Sequence, residues 1–250
     1  MIRAVRLEFR KMHRLRTGLI LVLLVIAVAA LSSISLFSGS TRDTFNDPAA
    51  MPWAGLLSTY GFMAAMTSPI LTAILASRQT DIEHTGVGWT LASTAGYSPG
   101  TLCRAKLAAL GLVLLPAVIV QSLLVIGIGI AVGIQVPLDL GPWVGYTMLL
   151  FLIDLAFLAL HIWLASVVEN QLVSVGLGML GAFIAVFTLL MPGAIVRFIP
   201  WGYYAMILHA GQQGDSIVYI TPPYAWIAGF LILVAAIFAF ATRQLDRLER

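Results

Sequence analysis

"RQTDIEHTGVGWTLASTAGYSPGTLCRAKLAAL", residues 78–110, is the longest polar interruption with basic flanks in an otherwise apolar chain. It carries an acidic pair, Asp81 and Glu83, together with Trp89 and Pro99, between Arg78 and Lys106. Its meaning depends on its neighbours. Residues 53–77 before it and 105–134 after it are apolar almost throughout. A membrane-spanning helix needs about 20 mostly apolar residues, and both flanks supply them. The stretch therefore reads as a connection between two spans.

The rest of the chain agrees. Of 250 residues, 60% are hydrophobic and 10% charged, against about 25% charged in soluble domains. So little polar surface cannot coat a water-soluble globule, and no polar segment is long enough to bury a core of its own. The formal charge of +3 does not mark a nucleic-acid partner, and the one cysteine, Cys103, excludes an internal disulfide.

Six runs are long enough to span: roughly 18–37, 53–77, 105–134, 143–168, 172–191 and 224–242. In lipid every backbone polar group must be satisfied within helices or a closed barrel. These runs are too long and too uniformly apolar for barrel strands, so the expected fold is an all-α membrane protein of six transmembrane helices, one domain over residues 1–250. The first run follows a basic start but exceeds a signal-peptide core, which holds about 7–15 residues; it reads as a retained anchor. With the N-terminus in the cytoplasm, Arg3, Arg6, Arg10, Lys11, Arg14, Arg16, Arg78, Arg104, Lys106, Arg243, Arg247 and Arg250 fall inside, and only Arg42 and Arg197 outside. This bias predicts that both termini are cytoplasmic.

Residues 1–17 have helical spacing, with Ile2, Val5, Phe9 and Met12 in one stripe and Arg3, Arg6, Arg10 and Arg14 beside it. Such a helix lies in the headgroup layer, basic residues near anionic lipid, either as a topology determinant or as an elbow that also meets a cytoplasmic partner. The connection at 78–104 predicts a short amphipathic helix with Ile82, Trp89 and Leu91 on its apolar side and Asp81, Glu83 and His84 on its polar side. Gly86 and Gly88 weaken helix by about 1 kcal/mol each, which favours a break near them, and Pro99 keeps Ser98 extended.

An acidic residue, a Gly-Trp pair, a Leu, a Pro and a Lys opening a span, here Glu83, Gly88, Trp89, Leu91, Pro99 and Lys106, resemble ABC-2-type transporter permeases. The layout of basic elbow, six spans and no soluble domain is most similar to the small permeases of lantibiotic immunity and bacitracin resistance. The run 199–208, "IPWGYYAMIL", is similar to a Pro-Trp run before their last span. A threonine commonly precedes the tryptophan in that family; here Gly88 does. The resemblance implies a permease subunit exporting an amphiphilic substrate (an antimicrobial peptide, drug or lipid-like molecule) across the bacterial cytoplasmic membrane. It makes residues 78–104 a coupling segment, with Asp81, Glu83, His84, Trp89 and Leu91 meeting an ATP-binding subunit. In that role Glu83 is an exposed arm pairing with a basic residue of the partner, and Trp89 a buried anchor; the plain alternative for Trp89 is an interfacial aromatic. No GxxxxGK[ST] run occurs, so no phosphate-cradling loop is present and the chain is read as binding no cofactor or metal. ATP and Mg belong to a dimer of motor subunits, and a second permease copy, identical or related, completes the pathway.

Within the fourth run Asp154 is costly at about 2.5–3.5 kcal/mol. His161 lies seven residues on, about 10.5 Å along a helix, so the two do not bond. They either line a translocation path or fix helix packing, with Gln121, Ser122, Ser68 and Thr72 as candidate partners. Glu169 and Asn170 read as a solvated turn, and the pairs around Gly129, Gly133, Gly176, Gly178 and Gly181 as sites of close helix approach. Residues 192–223 are too broken to span; two short re-entrant helices are expected, with Trp201, Tyr203 and Tyr204 at headgroup level and "GQQGDS" as a polar turn. Two rival readings use Asp154 and His161: a proton-coupled carrier and an intramembrane enzyme. Against the enzyme, no HExxH or G-x-S-x-G run occurs.

Overall fold

Apolar runs in lipid close their backbone hydrogen bonds within one segment, and helices dominate this chain accordingly. The computed structural model describes residues 1–85, 87–214 and 216–248. Gly86 of the expected break, Asp215 of the polar turn and Arg250 of the inner cations lie outside the described residues. In chain order the elements are α1 (Ile2–Arg14), α2 (Thr17–Ser32), α3 (Gly39–Arg42), α4 (Pro52–Thr85), α5 (Gly88–Thr94), α6 (Pro99–Val132), α7 (Leu140–Val167), α8 (Gln171–Thr188), α9 (Gly193–Val196), α10 (Tyr203–Met206), β1 (Ala210–Gln213), β2 (Ser216–Tyr219) and α11 (Tyr224–Leu248).

Among the described residues five helices, α4, α6, α7, α8 and α11, are each long and apolar enough to cross a membrane. A sixth crossing results if α1 and α2, bent by 69° at their junction, count as one broken span. The first expected span is thus shorter than its apolar run. At its end the Ser32 and Ser33 hydroxyls bond back to the carbonyls of Val28 and Ala29, at 2.6 and 2.8 Å, and the chain tightens into a 3₁₀ turn at Ile34–Phe37. Such back-bonding bends and weakens helix.

Helix α4 is the centre of the bundle, packing on α8, α7 and α2, while α6 packs on α7, α2 and α11. Two glycines of the expected close-approach set make that packing. A Cβ on Gly178 would stand 2.8 Å from the Pro69 carbonyl oxygen of α4, and one on Gly129 would stand 2.7 Å from the Trp53 ring. Gly176 faces open space, and Gly133, at φ +109°, ends α6 rather than packing on a neighbour. Trp53 donates its indole N–H to the Val136 carbonyl at 2.7 Å and meets Trp143 edge to face; Trp143 stacks on Tyr60, which meets Tyr146 edge to face.

The segment before α11 is short helices, as expected, followed by a two-stranded antiparallel hairpin, β1 with β2. Ala210 pairs with Tyr219 and Gln213 with Ser216. The hairpin departs from the expected plain turn: among its described residues, Gly214 is a turn residue at φ +63°, while Gly211–Gln213 and Ser216 are in strand. Placement of the aromatics also departs from expectation. Tyr203 and Tyr204 are buried and Trp201 is half-buried, all against other helices rather than in a headgroup belt. Tyr203 stacks on Phe230 with centroids 4.0 Å apart, Trp201 stacks on Phe157, and the Trp201 indole lies directly on Gly181.

Gly178→Val is expected to lower the apparent Tm of the detergent-purified chain, since overpacking costs about 1–3 kcal/mol. Gly176→Val, two residues away and facing open space, is expected to leave it unchanged. Equal effects of the two, read by thermal aggregation, would contradict the α4–α8 contact described.

Candidate functional site

The connection between α4 and α6 is not one amphipathic helix. Helix α4 runs on without interruption to Thr85, and at 34 residues it is about 51 Å long at 1.5 Å per residue. That exceeds the ~30 Å hydrocarbon core, so one end projects from it. The chain then breaks at Val87, which adopts φ +53°, a left-handed conformation unusual for a β-branched residue. Helix α5 follows, and none of its residues is buried. A turn through Gly96 leads to α6, whose first residue is Pro99; Ser98 before it is extended at ψ 154°, as Pro at the first helical position requires.

Gly88 has a specific task here. A Cβ on it would stand 2.7 Å from the Glu83 Cα, so the start of α5 can fold back on the end of α4 only without a side chain. His84 secures the fold-back. Its Nε2–H donates to the Ala165 carbonyl near the end of α7 at 2.8 Å, and its Nδ1 accepts from the Trp89 indole N–H at 3.3 Å. The two rings meet edge to face at 5.7 Å.

Beneath this turn lies a buried charge cluster. Lys106 of α6 is fully buried and donates to Glu8 Oε2 at 3.0 Å, Glu83 Oε1 at 2.6 Å and the Gln79 carbonyl at 2.8 Å. An ammonium has three donors and no acceptor, so every donor is used. Lys11 of α1 bonds Glu8 Oε1 at 2.8 Å and Glu83 Oε1 at 2.5 Å. Gln79 donates to Glu8 Oε2 at 2.7 Å and to the Glu8 carbonyl at 3.1 Å. Burial alone would lower the Lys11 pKa, but the adjacent Glu8 and Glu83 carboxylates outweigh it and hold the ammonium above its ordinary value. Two carboxylates and two ammoniums leave the group neutral, and it joins α1, α4 and α6. Nearby, Arg78 donates to the Leu15 carbonyl at the α1–α2 corner at 3.1 Å. An open groove of about 350 Å³ lies beside the cluster, between α1 and α5, with Leu7, Lys11, Leu91 and Tyr97 on its walls.

In the middle of the bundle, Asp154 is buried and accepts from Tyr204 at 2.9 Å and from Ser68 at 3.4 Å. His161 bonds Ser174 of α8 through Nδ1 at 3.0 Å, and its Nε2 has no partner among the described residues. The two side chains therefore engage different helices. Of the other candidates, Gln121 and Ser122 bond Tyr60 instead, at 3.1 Å each, and Thr72 donates to the Pro69 carbonyl of its own helix at 3.0 Å.

Residues 4–185, from α1 through most of α8, match the family described as ABC-2 family transporter protein. The chain belongs to this family. No individually curated protein matches it significantly. As an ABC-2 family protein it is a multi-pass membrane protein, and its matched region contains both the charge cluster and the α5 connection.

Several expectations for this ABC-2 protein change in detail. Glu83 is only 4% exposed and bonded to the chain's own lysines, so it is not a free arm for a partner, although it lines the floor of the groove between α1 and α5. Leu91, at 65%, is exposed, Trp89 is half-buried against His84, and Asp81 is half-buried. Arg3, Arg6, Arg10 and Arg14 are exposed, but the face of α1 turned to the bundle is Ala4, Glu8 and Met12. Ile2 and Phe9 point away from it. Glu169 is exposed, and Asn170 caps α8 through a 2.9 Å bond from the Leu172 N–H. Sequence reasoning missed Glu8, Lys11 and Gln79. One signal was available: Glu8 is the only acidic residue among the first 42, set in a strongly basic helix.

Lys106→Met leaves the Glu8 and Glu83 carboxylates buried with Lys11 alone, and breaking a buried pair costs about 3–5 kcal/mol. A sharp loss of monodisperse protein after detergent extraction is expected. Adding Glu83→Gln restores neutrality, so the double variant should be more stable than the sum of the single effects. Strict additivity would mean that the two side chains are not coupled.

Proposed function

We propose that this chain is the membrane-spanning subunit of an ATP-driven ABC-2-type exporter, with α5 and the end of α4 receiving the motion of a separate ATP-binding subunit. Family membership supports the transport role, and the sequence has no phosphate-cradling loop of its own. The observation that carries the coupling role is α5 itself, a short helix with no buried residue, joined through Trp89 to His84 at an end of α4 that Glu83 and His84 tie to α1, α6 and α7. In this reading Leu91 and the outer edge of Trp89 enter a cleft of the motor, and Glu83 acts from within by fixing the turn that presents them. His84 holds the same turn, and Asp81 stands half-buried one turn before it.

The surrounding parts fit that role. Helix α1 is an interfacial elbow, its four exposed arginines at the headgroups of the cytoplasmic leaflet of a bacterial membrane, and both termini are cytoplasmic. Residues 192–223 form a re-entrant cap at the opposite end of the path. A pair of motors carries ATP and Mg, and a second permease copy completes the route. The cargo is amphiphilic, in keeping with a bundle that presents mainly apolar surface. The Asp154 carboxylate serves helix packing, since Tyr204 and Ser68 use both of its oxygens.

Co-expression with a candidate ATP-binding subunit from the same genome, followed by affinity purification, tests the coupling role. Trp89→Ala and Leu91→Glu are expected to leave the chain in the membrane at normal levels but weaken the complex. Losing an aromatic anchor costs about 2 kcal/mol or more, roughly a 30-fold loss of affinity. A complex that withstands both changes would refute the assignment. Asp154→Asn, which keeps an acceptor for Tyr204, is expected to preserve ATP-dependent transport; abolished transport would favour the proton-coupled reading instead.

A further inference from the structure

Away from the charge cluster, one face of the bundle is grooved rather than flat. At the cap end, a groove of about 500 Å³ opens between Arg197, Trp226 and Tyr203. A second, of about 220 Å³, continues from it between α7 and α11 down to Ala241. Pro200, Phe230 and Leu233 line both, so the two form one channel along α11. From Trp226 to Ala241 it follows about 22 Å of helix, most of a hydrocarbon core ~30 Å thick. Its walls are apolar throughout its length, Phe157 and Trp163 among them.

Its mouth carries a single cation. The Arg197 guanidinium sits 4.7 Å from the Trp226 ring centroid and donates through Nε to the Gly193 carbonyl at 3.4 Å. Among the described residues no carboxylate lies within ion-pair distance of it. A fixed positive charge above a long apolar furrow is complementary to an anionic head on an acyl chain. A second copy of this chain fits less well. Two copies meeting through the same face would turn Arg197 toward its own counterpart, and between Leu189 and Leu245 the sequence offers no acidic residue except Asp215.

The geometry points to a resident phospholipid with an anionic headgroup, its phosphate against Arg197 and one acyl chain lying in the furrow between α7 and α11. This site needs no motor subunit and stands apart from the coupling role.

The full-length chain, purified in detergent and stripped of lipid, is titrated with dioleoyl-phosphatidylglycerol or dioleoyl-phosphatidylcholine and read by native mass spectrometry. Retention of one phosphatidylglycerol is expected at concentrations where phosphatidylcholine is lost. Arg197→Gln should lower phosphatidylglycerol retention roughly tenfold or more, the worth of one charged hydrogen bond, and leave phosphatidylcholine unchanged; Arg197→Lys should restore part of it. Gly229 lines the mouth with nothing within 4 Å of a Cβ, so Gly229→Trp should exclude both lipids without disturbing the bundle. Equal retention of the two lipids by the wild type would overturn the proposal, as would indifference of phosphatidylglycerol binding to Arg197→Gln. Disulfide-linked dimers of a Gly229→Cys chain with no bound lipid would overturn it in favour of a second copy on this face.

Discussion

A lysine ammonium with no exposed surface, placed where a bundle of apolar helices meets its polar end, constrains everything near it. Taking an ion out of water costs several kcal/mol, recovered only with close opposite charges and no idle donors. Lys106 meets both conditions through Glu8, Glu83 and the Gln79 carbonyl. The partners come from α1 and α4 and the lysine from α6, so satisfying one side chain sets the relative positions of three elements. Helix α1 cannot drift along the bundle without stranding Glu8, and the end of α4 cannot turn without stranding Glu83.

That constraint explains two local oddities. Gly88 lacks a side chain because the Glu83 backbone occupies the space a Cβ would need. Val87 holds a left-handed conformation because the chain must reverse within a few residues of a carboxylate that cannot move. Strain of this kind persists only where its surroundings over-determine it, and the cluster below with the His84 bonds above does so. The connection is therefore a braced corner rather than a loose loop, with α5 bonded to α4 through His84 and that end of α4 tied to α7 and, through the lysines, to α1 and α6.

The spans were legible in the sequence because lipid allows long apolar runs one backbone solution. The break near Gly88 and the extended Ser98 were legible for a local reason: Gly and Pro act on their own neighbours. Asp154 announced itself by its cost, and Ser68 was among the partners foreseen. What stayed hidden depended on contacts far apart in sequence. Glu8 and Lys106 are separated by 98 residues, and nothing in either neighbourhood marks the other. Charge alone suggested that Glu83 is exposed, since carboxylates in loops usually are; two distant lysines reversed this. Tyr204 read as a belt aromatic by composition, and only the fold brings its hydroxyl to Asp154. The hairpin strands, four residues each, are too short for alternation to show.

The two ends of the molecule are held by different physics. At the α5 end, charges and directed hydrogen bonds set geometry, and such contacts have few alternative arrangements. At the other end the segment 193–206 is held mainly by ring stacking and by glycine-sized gaps, with a single buried hydrogen bond from Tyr204 to Asp154. Helix α8 packs on α4, and α11 on α6 and α7. This segment bridges the two groups, with Trp201 on Gly181 of α8 and Tyr203 on Phe230 of α11. Stacked rings can slide a short way at little cost where an ion pair cannot. Relative movement of α8 and α11 is therefore cheapest at the aromatic end, while the charged end keeps its register.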